Sequence, residues 1–131
     1  MTLLGRDAIT SANDRREEVV EVPEWGGSVR VLTIVGQDRV TFERACRNHA
    51  KGELTSTELA ARASALGIVD QDGRRIFADG EESILVAKNP AVLSRVLDAV
   101  FRVSHVGQAE VDEELGESSG DPTSGSDTAS A

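Results

Sequence analysis

Residues 90 to 106 read PAVLSRVLDAVFRVSHV, and their spacing admits one secondary structure. Leu93, Val96, Leu97, Val100, Phe101 and Ser104 recur at i, i+3, i+4, i+7, i+8 and i+11, which is one face of an α-helix. Val92 and Val103 widen that face, and Pro90 stands at the helix start, where its missing N–H costs little. Val92, Val96, Val100 and Val103 form one apolar edge; Leu93, Leu97 and Phe101 form another. So wide an arc either belongs wholly to a core or leaves one edge for a partner helix.

The surface such a helix can lie on is supplied near the other end of the chain. In REEVVEVPEWGGSVRVLTIV two β-branched runs, Glu18 to Val22 and Ser28 to Val35, flank a Pro- and Gly-containing turn, the pattern of a β-hairpin. Val29, Val31 and Thr33 alternate with Ser28 and Arg30, after which Leu32 and Ile34 make both faces apolar, so the far end of this strand is expected to be covered on both sides. The turn carries the one tryptophan of a chain with no tyrosine and three phenylalanines. Trp25 either folds back over Val29 and Val31 as an anchor or is held outward as a contact.

Helical spacing recurs between these two regions. Phe42, Ala45, Cys46 and His49 share one face, with Asp38 at the N-terminus as cap or first-turn acid. Leu59, Ala60, Ala63 and Leu66 share another; Thr55 and Glu58 have capping-box spacing, and Gly67 stands at the stop. LLGRDAITSAND suggests a short helix ending near Asn13, and IVDQDGRRIF suggests a second small hairpin turning at Asp72 and Gly73. DGEESILVAK reads as a short helix capped by Asp79, with Ile84 and Leu85 inward. The expected class is α+β: a small N-terminal β-hairpin or sheet packed on several short helices.

A chain of 131 residues suits one domain with a core. No apolar run approaches the roughly 18 residues needed to cross a bilayer, and MTLLGRDAIT lacks the form of a secretory signal. A single cysteine agrees with a reducing compartment. The net charge of −9 is uneven: residues 110 to 131 hold seven acids and no Lys or Arg, leaving 16 acids against 14 bases, a net of −2, in residues 1 to 109. No concentrated basic segment is present to meet a phosphate backbone, which argues against nucleic acid as the partner. Residues 1–115 read as the domain, with a brief acidic helix QAEVDEELG near its end. Residues 116–131, GESSGDPTSGSDTASA, offer no large apolar side chain to bury and read as a disordered tail or linker.

Sites for chemistry are few. Cys46 and His49 lie three apart, but with one further histidine and no second cysteine they do not assemble four soft ligands, and a cysteine packed beside a helix-face histidine explains them. Asp70, Asp72 and Glu81 fall at positions 1, 3 and 12 of a calcium loop, whose fifth and sixth positions are here Arg74 and Arg75 instead of an oxygen ligand and glycine. A turn followed by a cap accounts for these acids. Neither a nucleophile elbow nor a phosphate-binding glycine loop is present. No catalytic residue, metal or cofactor is expected, and the chain reads as a non-enzyme.

The order of the pieces resembles the tail assembly chaperones of long-tailed, siphophage-type bacteriophages. In that family a V-P-x-W-G-G-x-V-x-V stretch, a helix containing F-E, and a V-D-x-D-G-x-R-x-F-x-D step precede a last helix. Val22 to Val31, Phe42 with Glu43, and Val69 to Asp79 match in turn, over roughly residues 3 to 115. The helix from Leu54 to Leu66 departs from the pattern in being Ala-rich. The resemblance implies a chaperone of the host cell cytoplasm, absent from the finished virion. Its partners would be the tape measure protein and the tail tube protein. A longer form of the same protein, made by a programmed frameshift, and self-association are implied too. Trp25, Val92, Val96, Val100 and Val103 are then the expected partner-binding residues. The alternative is a small structural neck or tail-completion protein of the virion.

Overall fold

The computed structural model describes residues 2–104. The hairpin forms where β-branched residues cluster. β1 (Glu17–Val22) and β2 (Gly27–Leu32) pair antiparallel, with Val20 opposite Val29 and Val22 opposite Gly27. One 3₁₀ turn, Pro23–Trp25, joins them. Pro23 supplies the first φ of that turn, the N–H of Gly26 closes it on the Pro23 carbonyl at 3.0 Å, and Gly26 takes φ 84°, which a Cβ would oppose. Because side chains alternate across a strand, Val20, Val22 and Val31 face the helices while Glu17, Val19 and Glu21 face away.

The expected second hairpin exists in reduced form. Its first arm, β3 (Ile68–Val69), pairs antiparallel with β2 and completes a sheet of order β1-β2-β3, while its return arm is a single bridge from Val69 to Arg75. Asp70 makes the turn: its Oδ1 accepts the N–H groups of Asp72 at 2.8 Å and Arg74 at 3.0 Å, which holds its carboxyl below the usual range. Leu32, on the outward face of β2, is buried beside this turn, so the far end of the strand is covered on both sides as its sequence suggests. Beyond Leu32 the ladder gives way to side-chain bonds. Thr33 donates to the Val103 carbonyl at 2.6 Å, and the N–H of Ile34 donates to Ser104 Oγ at 3.1 Å.

Five helices accompany the sheet among the described residues: α1 (Arg6–Ser11), α2 (Gly36–Ala50), α3 (Ser56–Gly67), α4 (Glu82–Val86) and α5 (Pro90–Ser104). In α2 the inward face is the expected one, with Phe42 and Ala45 buried and Cys46 and His49 partly so; Asp38 lies in the first turn and Val35 at the cap. Phe42 meets Phe101 of α5 in a tilted pair, centroids 5.6 Å apart, worth about 1 kcal/mol beyond area burial. The capping box of α3 is complete, Thr55 Oγ1 accepting the Glu58 N–H at 3.1 Å and Glu58 Oε1 accepting the Thr55 N–H at 2.8 Å. At α5, Asn89 Oδ1 accepts the Ala91 N–H at 2.9 Å and Pro90 opens the helix.

Two details of the helices differ from expectation. Asp79 does not cap α4; Glu81 precedes the helix and accepts the Ala78 N–H at 2.7 Å, while Asp79 pairs with Arg75 at 3.0 Å. Ile84 faces outward, because a helix of five residues turns only one large side chain, Leu85, into the core. The expected acidic helix QAEVDEELG and tail 116–131 lie outside the described residues.

The core has two parts sharing α3 and α5. Val20, Val22, Val31, Ile34, Phe42, Leu66, Ile68 and the valines of α5 make the larger; Ala60, Ala61, Ala65, Leu85 and Leu93 make the smaller. α3 buries Leu59, Ala60, Ala61, Ala63, Ser64, Ala65, Leu66 and Gly67, far more than one stripe. Its small side chains let α2, α4 and α5 all approach it. Gly67 marks the tightest approach, since a Cβ there would stand 3.0 Å from a methyl of Val100 and 3.5 Å from one of Val31.

Candidate interaction surface

Of the five expected partner-binding residues, four are in the core. Val92, Val96 and Val100 are fully buried and Val103 nearly so. The reading of this edge as a client surface is therefore corrected: the arc of α5 is wide because α3 packs on one side of it and β1 and β2 on the other. Trp25 stands apart from the valines. It is 36% exposed and belongs to neither part of the core.

The turn that presents Trp25 is bolted to α5. Arg95 makes a bidentate pair with Glu24, Nη1 to Oε1 at 3.0 Å and Nη2 to Oε2 at 2.9 Å, and also donates to the Glu21 carbonyl at 3.2 Å. These hydrogen bonds bring the Glu24 carboxyl down to about 2 and raise the Arg95 guanidinium. Two helical turns on, Arg102 grips Glu18 in the same way, Nε to Oε1 at 2.9 Å and Nη2 to Oε2 at 2.6 Å, which lowers Glu18 and raises Arg102. Matched planar forks of this kind fix orientation as well as charge. The hairpin thus carries Trp25 on a fixed mount.

The outward face of the sheet is the other half of this surface. Val19 is 58% exposed and Ile76 is 53% exposed. With Val29, Arg30, Val69 and Asp70 they line a shallow depression of about 400 Å³. A second of about 500 Å³ lies toward Asn13, Arg15, Leu32 and Gly73. Arg30 separates the two, its guanidinium held by Glu17 at 2.6 Å and by the carbonyls of Asp70 at 3.1 Å and Gln71 at 3.2 Å. Glu17 and Glu18, adjacent in sequence, therefore serve opposite faces of β1. Strand alternation was the signal for that division, and neither acid stands as an unpaired solvated charge.

The residues considered for chemistry have structural duties. His49 Nδ1 donates to the Leu54 carbonyl at 2.9 Å, closing the turn after α2. Cys46 packs against the larger core. Arg75, at the sixth position of the calcium-loop reading, ties three segments together: it donates to the Ala65 carbonyl at 3.0 Å and pairs with Asp79 at 3.0 Å and Asp38 at 3.4 Å. Among the described residues no group of three His, Cys, Asp or Glu side chains is placed to hold a metal ion. No described helix is long and apolar enough to cross a membrane.

The architecture is that of an α+β domain whose three-stranded antiparallel sheet packs on α5 and neighbouring helices. Among solved structures the chain is similar to the tail assembly chaperone of bacteriophage HK97, with a TM-score of 0.52 and 20% sequence identity over 74% of this chain and 90% of that one. At that identity the likeness is one of fold. No family model matches the chain, and no curated protein does.

Proposed function

We propose that this chain is a phage tail assembly chaperone, a non-catalytic binding protein that keeps the tape measure protein soluble and helps bring tail tube subunits to it. The observation that carries the reading is the shared fold with the HK97 tail assembly chaperone over 90% of that protein's length. The ordered motifs Val22 to Val31, Phe42 with Glu43, and Val69 to Asp79 support it from the sequence. Work of this kind needs exposed apolar side chains on a rigid mount, and the exposure of Trp25, Val19 and Ile76 supports that reading. On this reading the protein acts in the host cytoplasm, alongside a longer frameshifted form of itself, and is left out of the finished particle.

Co-expression with a tape measure protein from the same operon tests the proposal. The expected result is a soluble, co-purifying pair; an insoluble tape measure protein beside abundant folded chaperone rejects it. Mass spectrometry of purified particles is the second arm. A fixed copy number in the virion would favour a structural neck or tail-completion role. Trp25→Ala then asks what the turn is for, because retained folding with lost co-purification identifies a contact and lost folding identifies an anchor.

A further inference from the structure

The outward side of α2 carries the pattern Val40, Arg44, Arg47, Lys51, at i, i+4, i+7 and i+11. Steps of four and three keep these residues on one line along the helix, opposite the buried Phe42 and Ala45. All four are exposed. The three cations have no ion-pair partner among the described residues, and the nearby Glu43 is engaged by Arg39 at 2.9 Å. A basic stripe flanked by an exposed valine is an unusual surface on a chain of net charge −9.

The complementary charge lies in the same chain. Residues 110–117, EVDEELGE, hold five acids and no cation, together with Val111 and Leu115. The described chain ends at the right place to deliver them. Ser104, the last described residue, is held against the start of α2, because Arg39 donates to its carbonyl and its hydroxyl accepts the Ile34 N–H. Glu110 lies six Cα steps beyond Ser104, a reach of up to about 20 Å. The stripe begins next to Arg39 and runs about 16 Å from Val40 to Lys51 at the rise of an α-helix. We propose that residues 110–117 dock on the Val40–Arg44–Arg47–Lys51 stripe of the same molecule, so that the C-terminal acidic run covers the basic surface of the domain.

Attraction between exposed charges is strong at low ionic strength and screened at high. The cover is therefore expected to be salt-dependent.

The sequence supplies its own control, since Lys51 and Lys88 are the two lysines and Lys88 lies in the turn before α5, at the opposite end of that helix from Ser104. Zero-length carbodiimide cross-linking of the full chain, read by mass spectrometry on the monomer band, tests the proposal. Links from Lys51 to Glu110, Asp112, Glu113, Glu114 or Glu117 are expected to exceed those from Lys88 by roughly fivefold at about 0.05 M salt and to fall to parity near 1 M, as the screening length shrinks. Arg44→Glu with Arg47→Glu, both on the exposed face, is expected to reduce the Lys51 links to the Lys88 level with the circular dichroism unchanged. Adding Glu113→Arg and Glu114→Arg to that variant is expected to restore links to the remaining acids. Equal yields at the two lysines in low salt, or links confined to the dimer band, would overturn the proposal.

Discussion

Helices α1 and α3 invert a simple expectation about hydrophobicity. The α1 segment brings larger apolar side chains, yet Leu3, Leu4 and Ile9 are 96%, 64% and 60% exposed and the helix buries nothing. α3 brings four alanines, a serine and a glycine to the interior beside two leucines, and it is the hub of the molecule. The difference lies in neighbours and ends. α3 has a reciprocal capping box and three helices closing on it. α1 has six residues, no side-chain cap from Gly5 and no facing element among the described residues, and a helix that short does not sustain itself. Small residues contribute little transfer energy each, but they let backbones converge, and convergence then buries the large side chains of the partners.

Substitutions at the hub should have the largest effects. Leu93 is fully buried against Ala60, Ala61 and Ala65. Leu93→Ala is expected to cost about 2–5 kcal/mol in chemical denaturation, the range for a buried leucine whose cavity does not collapse. A loss under about 1 kcal/mol would show that the alanine face can close the gap, and would weaken the contrast between α1 and α3. Ala63→Leu should cost about 1–3 kcal/mol through overpacking, whereas Ala8→Leu in α1 should stay within about 0.5 kcal/mol. Equal effects at positions 63 and 8 would break the comparison outright.

Much of the fold was legible where residues are strongly patterned. The hairpin is written in β-branched runs around Pro-Glu-Trp-Gly-Gly, the buried face of α2 in the spacing of Phe42 and Ala45, the start of α3 in Thr55 and Glu58, and the start of α5 in Pro90. The sequence of α3 shows only one stripe because periodicity needs contrast, and a helix buried nearly all round has none. The valines of α5 looked surplus because the sequence does not reveal that two elements share that helix. Pairings such as Glu18 with Arg102, 84 residues apart, leave no local trace, so the mount that fixes Trp25 was invisible. Of the candidate surface, Trp25 alone was singled out from the sequence. Val19 and Ile76 carry no such signal, because an apolar residue on a strand or turn reads as core whether or not an element covers it.

The seam between β1 and α5 lies between the two extremes and should respond to acid. Glu24 and Glu18 have carboxyls lowered in the fold by Arg95 and Arg102. Groups of this sign add stability that is fully present above the unfolded value of 4.5 and is lost as pH falls toward about 2, the folded value of Glu24. Thermal denaturation is therefore expected to show the wild type losing part of its advantage over Arg95→Gln across that window. The two proteins should keep a constant gap between pH 5 and 7. A gap that persists unchanged to pH 2 would assign Arg95 a packing role and not an ionic one.

The smallest effect on stability is expected in α1, and it carries information because it should be small. With Leu4 and Ile9 exposed, Leu4→Ser with Ile9→Ser removes no buried contact among the described residues. Denaturation midpoints should move by no more than the equivalent of about 0.5 kcal/mol, as at other unburied positions. A loss above about 1 kcal/mol would mean that this arm packs against a surface when the protein is in solution, and α1 would then belong with α3 among the buried helices. If stability holds but co-purification of the tape measure protein declines, the same variant adds the arm to Trp25 as a candidate surface for the proposed client. Unaltered stability with unaltered co-purification would leave Trp25, Val19 and Ile76 as the exposed apolar residues on which the proposed client binding rests.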